Sequence, residues 1–158
     1  MNWERATKPN VLLVEDSAAD VFLVRAALKK HKIDCNLSVI GDGEEVLRFI
    51  ARIESDAQLE PLDLVLLDLH LPKRDGAEIL AQLRASERSG LTPVVVFTSS
   101  DSSRDRQKIE KHGPLYYFVK PISLDGFMEL GGIVQNILSN SQQVESVLCK
   151  VQTAGGAA

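Results

Sequence analysis

The sequence predicts an α/β fold, a doubly wound (βα)5 domain built around a five-stranded parallel sheet. Five short apolar runs alternate with segments whose apolar residues recur at helical spacing. The runs cover residues 11–14, 37–40, 62–67, 94–97 and 115–119. Three stretches, at 11–14, 64–67 and 94–97, are hydrophobic at every position. That pattern indicates central strands that are covered by helices on both faces.

The segments between the runs predict five helices, and local signals support their ends. The predicted helices span residues 18–30, 44–53, 77–84, 102–111 and 124–138. Asp42-Gly43 indicates a turn, and Asp75-Gly76 indicates the start of a helix. Ser123 is a suitable N-cap for the last helix, and His112-Gly113-Pro114 ends the one before it. Each predicted strand is therefore followed by a helix.

The last predicted helix contains an adjacent pair of glycines, Gly131 and Gly132. Each costs about 1 kcal/mol relative to alanine inside a helix. The pair marks either a weak point or close packing against the sheet, or else a smooth surface for a partner. Beyond Leu138 the helical pattern fades, so we expect one domain over residues 1–140 and a disordered or frayed tail over 141–158.

The composition limits the classes of function. A chain of 158 residues with 44% hydrophobic and 25% charged residues fits one globular domain, and its net charge of -4 gives no reason to expect nucleic-acid binding. Cys35 and Cys149 match no metal-ligand spacing and cannot form a disulfide framework, which favours the reduced cytoplasm. No stretch approaches the roughly 20 apolar residues of a membrane span, so we expect no membrane partner.

Polar side chains follow four of the predicted strands. Glu15 and Asp16 come after the first strand, and Asp68 ends the third. Thr98 follows the fourth strand and Lys120 the fifth. The carboxyl ends of parallel strands meet at one edge of the sheet, so three carboxylates would crowd there and repel one another unless a cation is present. Oxygen donors favour Mg²⁺.

This set of groups suits phosphoryl transfer to Asp68. A carboxylate needs no general base to act as a nucleophile, and it yields an acyl phosphate. A metal ion, an ammonium, a hydroxyl and backbone N–H groups can stabilise the charge on the transferring group. A single Asp at a strand end is more commonly a cap or a surface charge. The joint placement of four different chemistries after four strands favours the functional interpretation.

These residues resemble the receiver domain of two-component response regulators, the CheY-like family, over roughly residues 10–138. The matching motifs are Val11-Leu12-Leu13-Val14-Glu15-Asp16, Leu64-Val65-Leu66-Leu67-Asp68-Leu69-His70-Leu71-Pro72 with Asp75-Gly76, Thr98, Tyr117, and Lys120-Pro121. The resemblance implies a CheY-like, flavodoxin-like sheet with strand order 2-1-3-4-5. It also implies that Asp68 is the phosphoacceptor.

The resemblance further implies a ligand set for Mg²⁺. Asp16 and Asp68 would bind the metal directly, and the backbone carbonyl of His70 would be a third ligand. Glu15 would act mainly through water. His70 and Ser100 occupy the two positions at which side chains tune dephosphorylation in the family.

By the same resemblance, Thr98 and Lys120 would contact the phosphoryl oxygens, together with backbone groups of Leu69 and Ser99. Tyr117 would be the switch aromatic. Its ring would turn inward when the Thr98 hydroxyl is drawn toward the phosphoryl group, and this would reshape the surface of the fourth helix, fifth strand and fifth helix. The peptide bond before Pro121 would be cis.

The long second crossover at 54–61 and the segment 16–20 resemble single-domain regulators that are paired with phytochrome-type sensor kinases. The implied function is a signalling switch that accepts a phosphoryl group from a sensor histidine kinase or a His phosphotransfer protein and acts on a downstream protein, as a monomer or a homodimer. It would catalyse only its own phosphorylation and autodephosphorylation, and would not be an enzyme in the usual sense.

Three alternatives remain open from the sequence. The chain could be a phosphate sink or relay intermediate without an output of its own. It could be an aspartate-based phosphatase, although such enzymes place a second Asp where this chain has His70. A flavodoxin-type cofactor binder would need a Ser/Thr/Gly-rich loop after the first strand, where Glu15 and Asp16 would repel an FMN phosphate.

Overall fold

The computed structural model describes residues 7–99, 102–113 and 115–154, and their side chains up to Asn140. The elements are β1 (Asn10–Val14), α1 (Ala18–Lys30), β2 (Asn36–Ile40), α2 (Gly43–Ser55), β3 (Leu64–Leu67), α3 (Gly76–Ala85), β4 (Val94–Thr98), α4 (Ser103–Glu110), β5 (Tyr116–Val119) and α5 (Leu124–Ala154). Every predicted strand and helix is present. Apart from the end of α5, the predicted ends differ from the observed ones by no more than two residues.

The five strands form one sheet in the order β2-β1-β3-β4-β5, as the family resemblance implies. All neighbouring strands are parallel. Val14 is in register with Leu67, and Leu67 with Val96. The carboxyl ends of the three central strands therefore lie side by side, and the residues that follow them share one edge of the sheet.

The core has one layer on each face of this sheet. Leu12 and Val14 of β1 point into the layer that α2, α3 and α4 cover. Val11 and Leu13, the alternate residues of the same strand, point into the layer that α1 and α5 cover. Because side chains alternate along a strand, only a continuously apolar strand can fill both layers. The uninterrupted hydrophobic runs of the sequence are explained by this arrangement.

Side-chain caps fix the starts of several helices. Asp42 caps α2 by accepting hydrogen bonds from the N–H groups of Glu44 and Glu45, so the predicted turn is the start of that helix. Asp75 caps α3. The Ser123 hydroxyl accepts from the Gly126 N–H at 3.1 Å, which confirms its predicted capping role. Pro114, predicted to help end α4, lies outside the described residues.

The glycine pair in α5 lies against α1. A Cβ atom on Gly131 would overlap the His31 ring and approach the Ala27 carbonyl oxygen to 2.5 Å. The His31 Nε2 atom lies 3.1 Å from the Met128 carbonyl oxygen, which ties the end of α1 to α5. The close-packing interpretation of the glycines is therefore correct in kind, but the neighbour is α1 rather than the sheet.

Helix α5 extends to Ala154, whereas the sequence pattern predicted its end near Leu138 and a frayed tail from 141. The segment 141–154 contains no glycine or proline, so nothing in its backbone chemistry stops a helix that has already formed. A glycine pair follows at 155–156. Residues 155–158 of the predicted tail lie outside the described residues.

The long crossover between α2 and β3 is held by one partly exposed network of charged side chains. The Arg88 guanidinium donates to the carbonyl oxygens of Ile53, Asp56 and Leu59. The Glu54 carboxylate in turn accepts from the N–H groups of Glu87 and Arg88, at 3.0 and 3.1 Å. These contacts fix a segment that the sequence indicated only as a long crossover.

None of the helices in the described part of the chain has the length and apolar character needed to span a bilayer.

Candidate functional site

Three carboxylates meet at the carboxyl edge of the sheet. Glu15 follows β1 and is 2% exposed, and Asp68 follows β3 and is 6% exposed. Asp16, beside Glu15, faces solvent. Each of the three offers a ligand atom within 4.8 Å of the others. The parallel register of β1 and β3 places them together, because the Asp68 N–H donates to the Val14 carbonyl at 3.0 Å.

This group of donors fits a hard divalent cation. It offers carboxylate oxygens alone. Mg²⁺ and Mn²⁺ bind such oxygens in preference to the nitrogen and sulfur ligands that softer metals favour. The exposed side of Asp16 leaves a route for solvent to the site, in keeping with a metal ion that retains waters. The sequence placed the same three residues at the metal site, and the structure brings all three together.

Lys120 reaches across the edge to these carboxylates. Its Nζ atom lies 2.7 Å from Glu15 Oε2 and 3.2 Å from Asp68 Oδ2. The same atom lies 2.7 Å from Oδ2 of Asp20, a fourth carboxylate in the first turn of α1. It also lies 4.7 Å from the centroid of the Phe97 ring. With its side chain only 9% exposed, Lys120 is a desolvated cation among three acids.

The sequence did not predict Asp20 as a site residue. Its only local signal is position, one helical turn after Asp16 and inside the first turn of α1, where acidic residues are favoured by the helix dipole. That position is equally typical of a solvated helix start. Only the fold brings it to Lys120, a residue 100 positions away in the sequence.

Burial and the neighbouring charged groups shift the pKa values of Glu15 and Lys120. Burial raises the pKa of Glu15 to about 6, although hydrogen bonds from Lys120 and from the Ser17 N–H act in the opposite direction. Burial alone would lower the pKa of Lys120, but its hydrogen bonds to Asp20 and Glu15 more than offset that effect. Its pKa therefore lies above the usual range of a lysine, and the ammonium stays charged.

The second oxygen of each buried carboxylate is also engaged. Glu15 Oε1 accepts from the Ser17 N–H at 2.9 Å. Asp68 Oδ1 accepts from the His70 N–H at 3.1 Å. These bonds fix both carboxylates in orientation, because each is held at one oxygen by the backbone and at the other by Lys120.

Thr98 and Tyr117 lie on the neighbouring strands. Thr98 ends β4, is fully buried, and its carbonyl accepts from the Lys120 N–H at 2.8 Å. Tyr117 on β5 is half-buried and packs against the core layer under α2, α3 and α4. Its ring lines a cavity of about 250 Å³ between α4 and β5. The two residues therefore lie on adjacent strands, Thr98 buried in the sheet and Tyr117 beside the cavity.

The loops around the acceptor hold the remaining predicted residues. The Leu69 carbonyl accepts from the Gly76 N–H at 3.2 Å, which closes the loop between β3 and α3. His70 is exposed, and its Nε2 atom lies 3.4 Å from Asp105 Oδ2 on α4. Ser99 is exposed at the end of β4. Ser100, predicted to tune dephosphorylation, lies outside the described residues.

The peptide bond between Lys120 and Pro121 is trans, so the predicted cis bond is wrong; no peptide bond in the described ranges is cis. The trans form is the lower-energy form of an X–Pro bond by about 0.5–1 kcal/mol. Lys120 reaches Glu15 and Asp68 in this backbone without a cis bond.

Comparisons with known proteins agree with this geometry. The family model described as the response regulator receiver domain matches residues 11–130. The probable methanogenesis regulatory protein FilR2 of Methanothrix harundinacea is 36% identical over 115 residues, which cover 73% of this chain and 74% of that protein. Response regulator Rcp1 of Synechocystis sp. is 40% identical over 95 residues, 60% of this chain and 65% of that protein.

Two solved structures are similar in both fold and sequence. The phosphorylated cyanobacterial phytochrome response regulator RcpA superposes with a TM-score of 0.75 at 31% identity, over 85% of this chain and 96% of that one. The Mn²⁺-bound form of Rcp1 superposes with a TM-score of 0.70 at 36% identity, over 79% and 91% of the two chains.

Proposed function

Because this chain belongs to the response regulator receiver domain family of two-component signalling, we propose that it is a switch that accepts a phosphoryl group on Asp68. The donor is a sensor histidine kinase or a His phosphotransfer protein, and the receiver domain spans residues 1–140. One observation carries the proposal. Asp68 is a nearly buried carboxylate that shares a 4.8 Å cluster with Glu15 and Asp16 and lies 3.2 Å from the Lys120 ammonium.

In the transfer step, an Asp68 carboxylate oxygen attacks the phosphorus atom of a phosphohistidine. The new O–P bond gives an acyl phosphate, while the P–N bond breaks and the electron pair returns to the imidazole. A carboxylate nucleophile such as Asp68 needs no general base for this step. When bound by Glu15, Asp16, Asp68 and the His70 carbonyl, Mg²⁺ supplies charge neutralisation for the transferring group.

The protein's own groups position the phosphoryl oxygens. Lys120 is held with its ammonium 3.2 Å from Asp68 Oδ2. It is therefore close enough to pair with an oxygen of a phosphoryl group carried by Asp68. Thr98 lies at the end of the adjacent strand and supplies a hydroxyl donor. Backbone groups of Leu69 and Ser99 complete the proposed set. Such fixed donors stabilise developing charge without reorganisation during the reaction.

The signal leaves the site through Thr98 and Tyr117. In this proposal the Thr98 hydroxyl moves to the phosphoryl group. The Tyr117 ring then turns inward, into the space that the Thr98 hydroxyl leaves. The surface of α4, β5 and α5 changes with it and becomes the binding face for a downstream protein. Local charge events act on such two-state elements in many switches.

The cognate kinase is proposed to be of the phytochrome type. RcpA, the structure described above with a TM-score of 0.75, is named a phytochrome response regulator. The long crossover over 54–61, now seen to be fixed by Arg88 and Glu54, is the sequence feature that favoured this subgroup. A phosphate sink or relay intermediate would use the same chemistry and would differ in having no output of its own.

Acetyl phosphate with Mg²⁺ tests the acceptor. We expect one acid-stable, hydroxylamine-sensitive label per chain by intact mass, and none for Asp68→Asn. Asp125→Asn, which neutralises an exposed carboxylate of α5, is the matched control and should label like the wild type. Labelling of Asp68→Asn at the wild-type rate contradicts the proposal. Phosphotransfer profiling against the kinases of the host then identifies the donor.

A further inference from the structure

We propose that Asp20 is a positioning residue that retains the Lys120 ammonium when a metal ion takes the carboxylates of Glu15 and Asp68, which Lys120 also contacts. The inference rests on the proposed metal and acceptor site. Its basis is the contact between Lys120 Nζ and Asp20 Oδ2 at 2.7 Å, as short as the contact with Glu15 and shorter than the 3.2 Å contact with Asp68.

Lys120 and a metal ion need the same oxygens. Glu15 Oε2 and Asp68 Oδ2 both accept hydrogen bonds from Lys120, and backbone N–H groups occupy the other oxygen of each carboxylate. A cation that binds Asp68 directly, and Glu15 directly or through water, would therefore compete with the ammonium for at least part of this set. A displaced ammonium that is nearly buried costs free energy unless another acceptor receives it.

Asp20 provides that acceptor from outside the metal cluster. The triad of donors comprises Glu15, Asp16 and Asp68, and within the described residues Asp20 does not join it. Asp20 can therefore keep its bond to Lys120 while the other carboxylates turn to the metal ion. The Phe97 ring, 4.7 Å from Nζ, gives the ammonium a second favourable contact in the same place.

The local structure keeps Asp20 in position for this role. The Ser17 hydroxyl caps α1 by accepting from the Asp20 N–H at 3.3 Å. The Ser17 N–H also donates to Glu15 Oε1 at 2.9 Å, so the same residue orients the Glu15 carboxylate and anchors the backbone of Asp20. The Asp20 side chain is 25% exposed, so its carboxylate stays in contact with solvent while it binds Lys120.

A double-mutant cycle in Mg²⁺ affinity tests the inference. Calorimetric titration gives the Mg²⁺ dissociation constant of the wild type, Asp20→Asn, Lys120→Ala and the double variant. Without Asp20, the carboxylate partners that remain for Lys120 in the described part of the chain are Glu15 and Asp68, so the ammonium would compete with Mg²⁺ there. We expect Asp20→Asn to weaken Mg²⁺ binding about three- to tenfold in the presence of Lys120, and by less than twofold in the Lys120→Ala background.

Phosphorylation kinetics separate positioning from a general loss of fold or charge. The Mg²⁺ concentration needed for half-maximal labelling by acetyl phosphate should rise in Asp20→Asn by the same factor, while the rate at saturating Mg²⁺ stays near that of the wild type. Glu129→Gln removes an exposed carboxylate from α5 and should change neither quantity. Asp20→Ser is measured alongside, so that the result does not depend on one variant folding.

The outcomes are distinct. An equal weakening of Mg²⁺ binding with and without Lys120 would show that Asp20 acts as a distant charge only, and an unchanged affinity in both Asp20 variants would show that it does not act at all. Either result overturns the inference and leaves the proposed function intact. A wild-type protein that binds no Mg²⁺ would instead contradict the proposed metal site itself.

Discussion

The guanidinium carbon of Arg106 lies 4.1 Å from the centroid of the Tyr117 ring. Arg106 is exposed on α4 and Tyr117 is half-buried on β5, so the contact joins two of the three elements that form the proposed output surface. A cation over an aromatic face at an exposed site contributes about 0.5–1 kcal/mol. The contact favours the position that Tyr117 has in this structure.

Arg106→Gln should therefore ease the inward turn of Tyr117. We expect affinity for beryllofluoride, a mimic of the phosphoryl group, to rise roughly two- to fivefold in the presence of Mg²⁺, as 0.5–1 kcal/mol implies. The titration can be followed by the NMR signals of Tyr117. Arg104→Gln removes the same charge from an exposed position of the same helix and should leave the affinity unchanged. Equal effects of the two variants would assign the change to net charge.

The raised pKa of Glu15 predicts a pH dependence of stability. Its folded-state pKa of about 6 exceeds the ordinary value of 4.5, so the folded protein holds this proton more tightly than the unfolded chain. The resulting stabilisation is fully present below pH 4.5 and is lost as the pH rises through about 6. A shift of this size corresponds to about 2 kcal/mol, since one pKa unit is about 1.4 kcal/mol.

Urea unfolding with a chelator present measures this effect. The free energy of unfolding of the wild type, taken relative to Glu15→Gln, should fall by about 2 kcal/mol between about pH 4 and about pH 7. The Gln variant cannot titrate at this position, so it removes the pH dependence of other groups from the difference. A difference that stays flat across this range, or that grows with pH, contradicts the assignment.

The two adjacent glycines of α5 should respond in opposite directions to alanine. A Cβ at Gly131 would overlap the His31 ring and the Ala27 carbonyl, whereas a Cβ at Gly132 would lie 3.5 Å from His31 Cε1, an ordinary contact. We expect Gly131→Ala to lower the free energy of unfolding by about 1–3 kcal/mol through overpacking. Gly132→Ala should raise it by up to about 1 kcal/mol through helix propensity.

Thermal or urea unfolding of the two single variants tests this pair directly, with each serving as the control for the other. Loss of stability in both would show that α5 needs glycine for a reason other than the approach of α1. A gain in both would mean that α1 and α5 separate easily at His31.

Arg88 should be the main support of the long crossover. Its side chain donates to three carbonyl groups, those of Ile53, Asp56 and Leu59. Hydrogen bonds from a charged donor contribute about 1.5–3 kcal/mol each, and partial exposure reduces the sum. We expect Arg88→Ala to cost about 2–3 kcal/mol in urea unfolding and to increase hydrogen exchange over 54–61. Arg52→Ala, at an exposed position of α2, should cost less than about 0.5 kcal/mol.

Periodicity predicted the fold because the sheet is parallel and covered on both faces. In such a sheet, strands such as 64–67 must be apolar at every position, and the residues after each strand must meet at one edge. The positions of Glu15, Asp68 and Thr98 follow from these two facts alone. Two predictions were wrong, the cis bond before Pro121 and the end of α5 near Leu138. The first came from the family resemblance and not from any strand or helix pattern, and the second followed a fading apolar pattern in a segment that contains no helix breaker.

The sequence by itself determined the acidic edge, since a residue that directly follows a strand can lie nowhere else once the strand order is set. The tertiary structure alone decided which partner each charged side chain takes. Asp20 contacts Lys120, which lies 100 residues away in the sequence. Arg88, which follows α3, donates to carbonyl groups of the crossover before β3. Such contacts depend on helix rotation and side-chain rotamers, which vary by whole ångströms without any change in the apolar pattern.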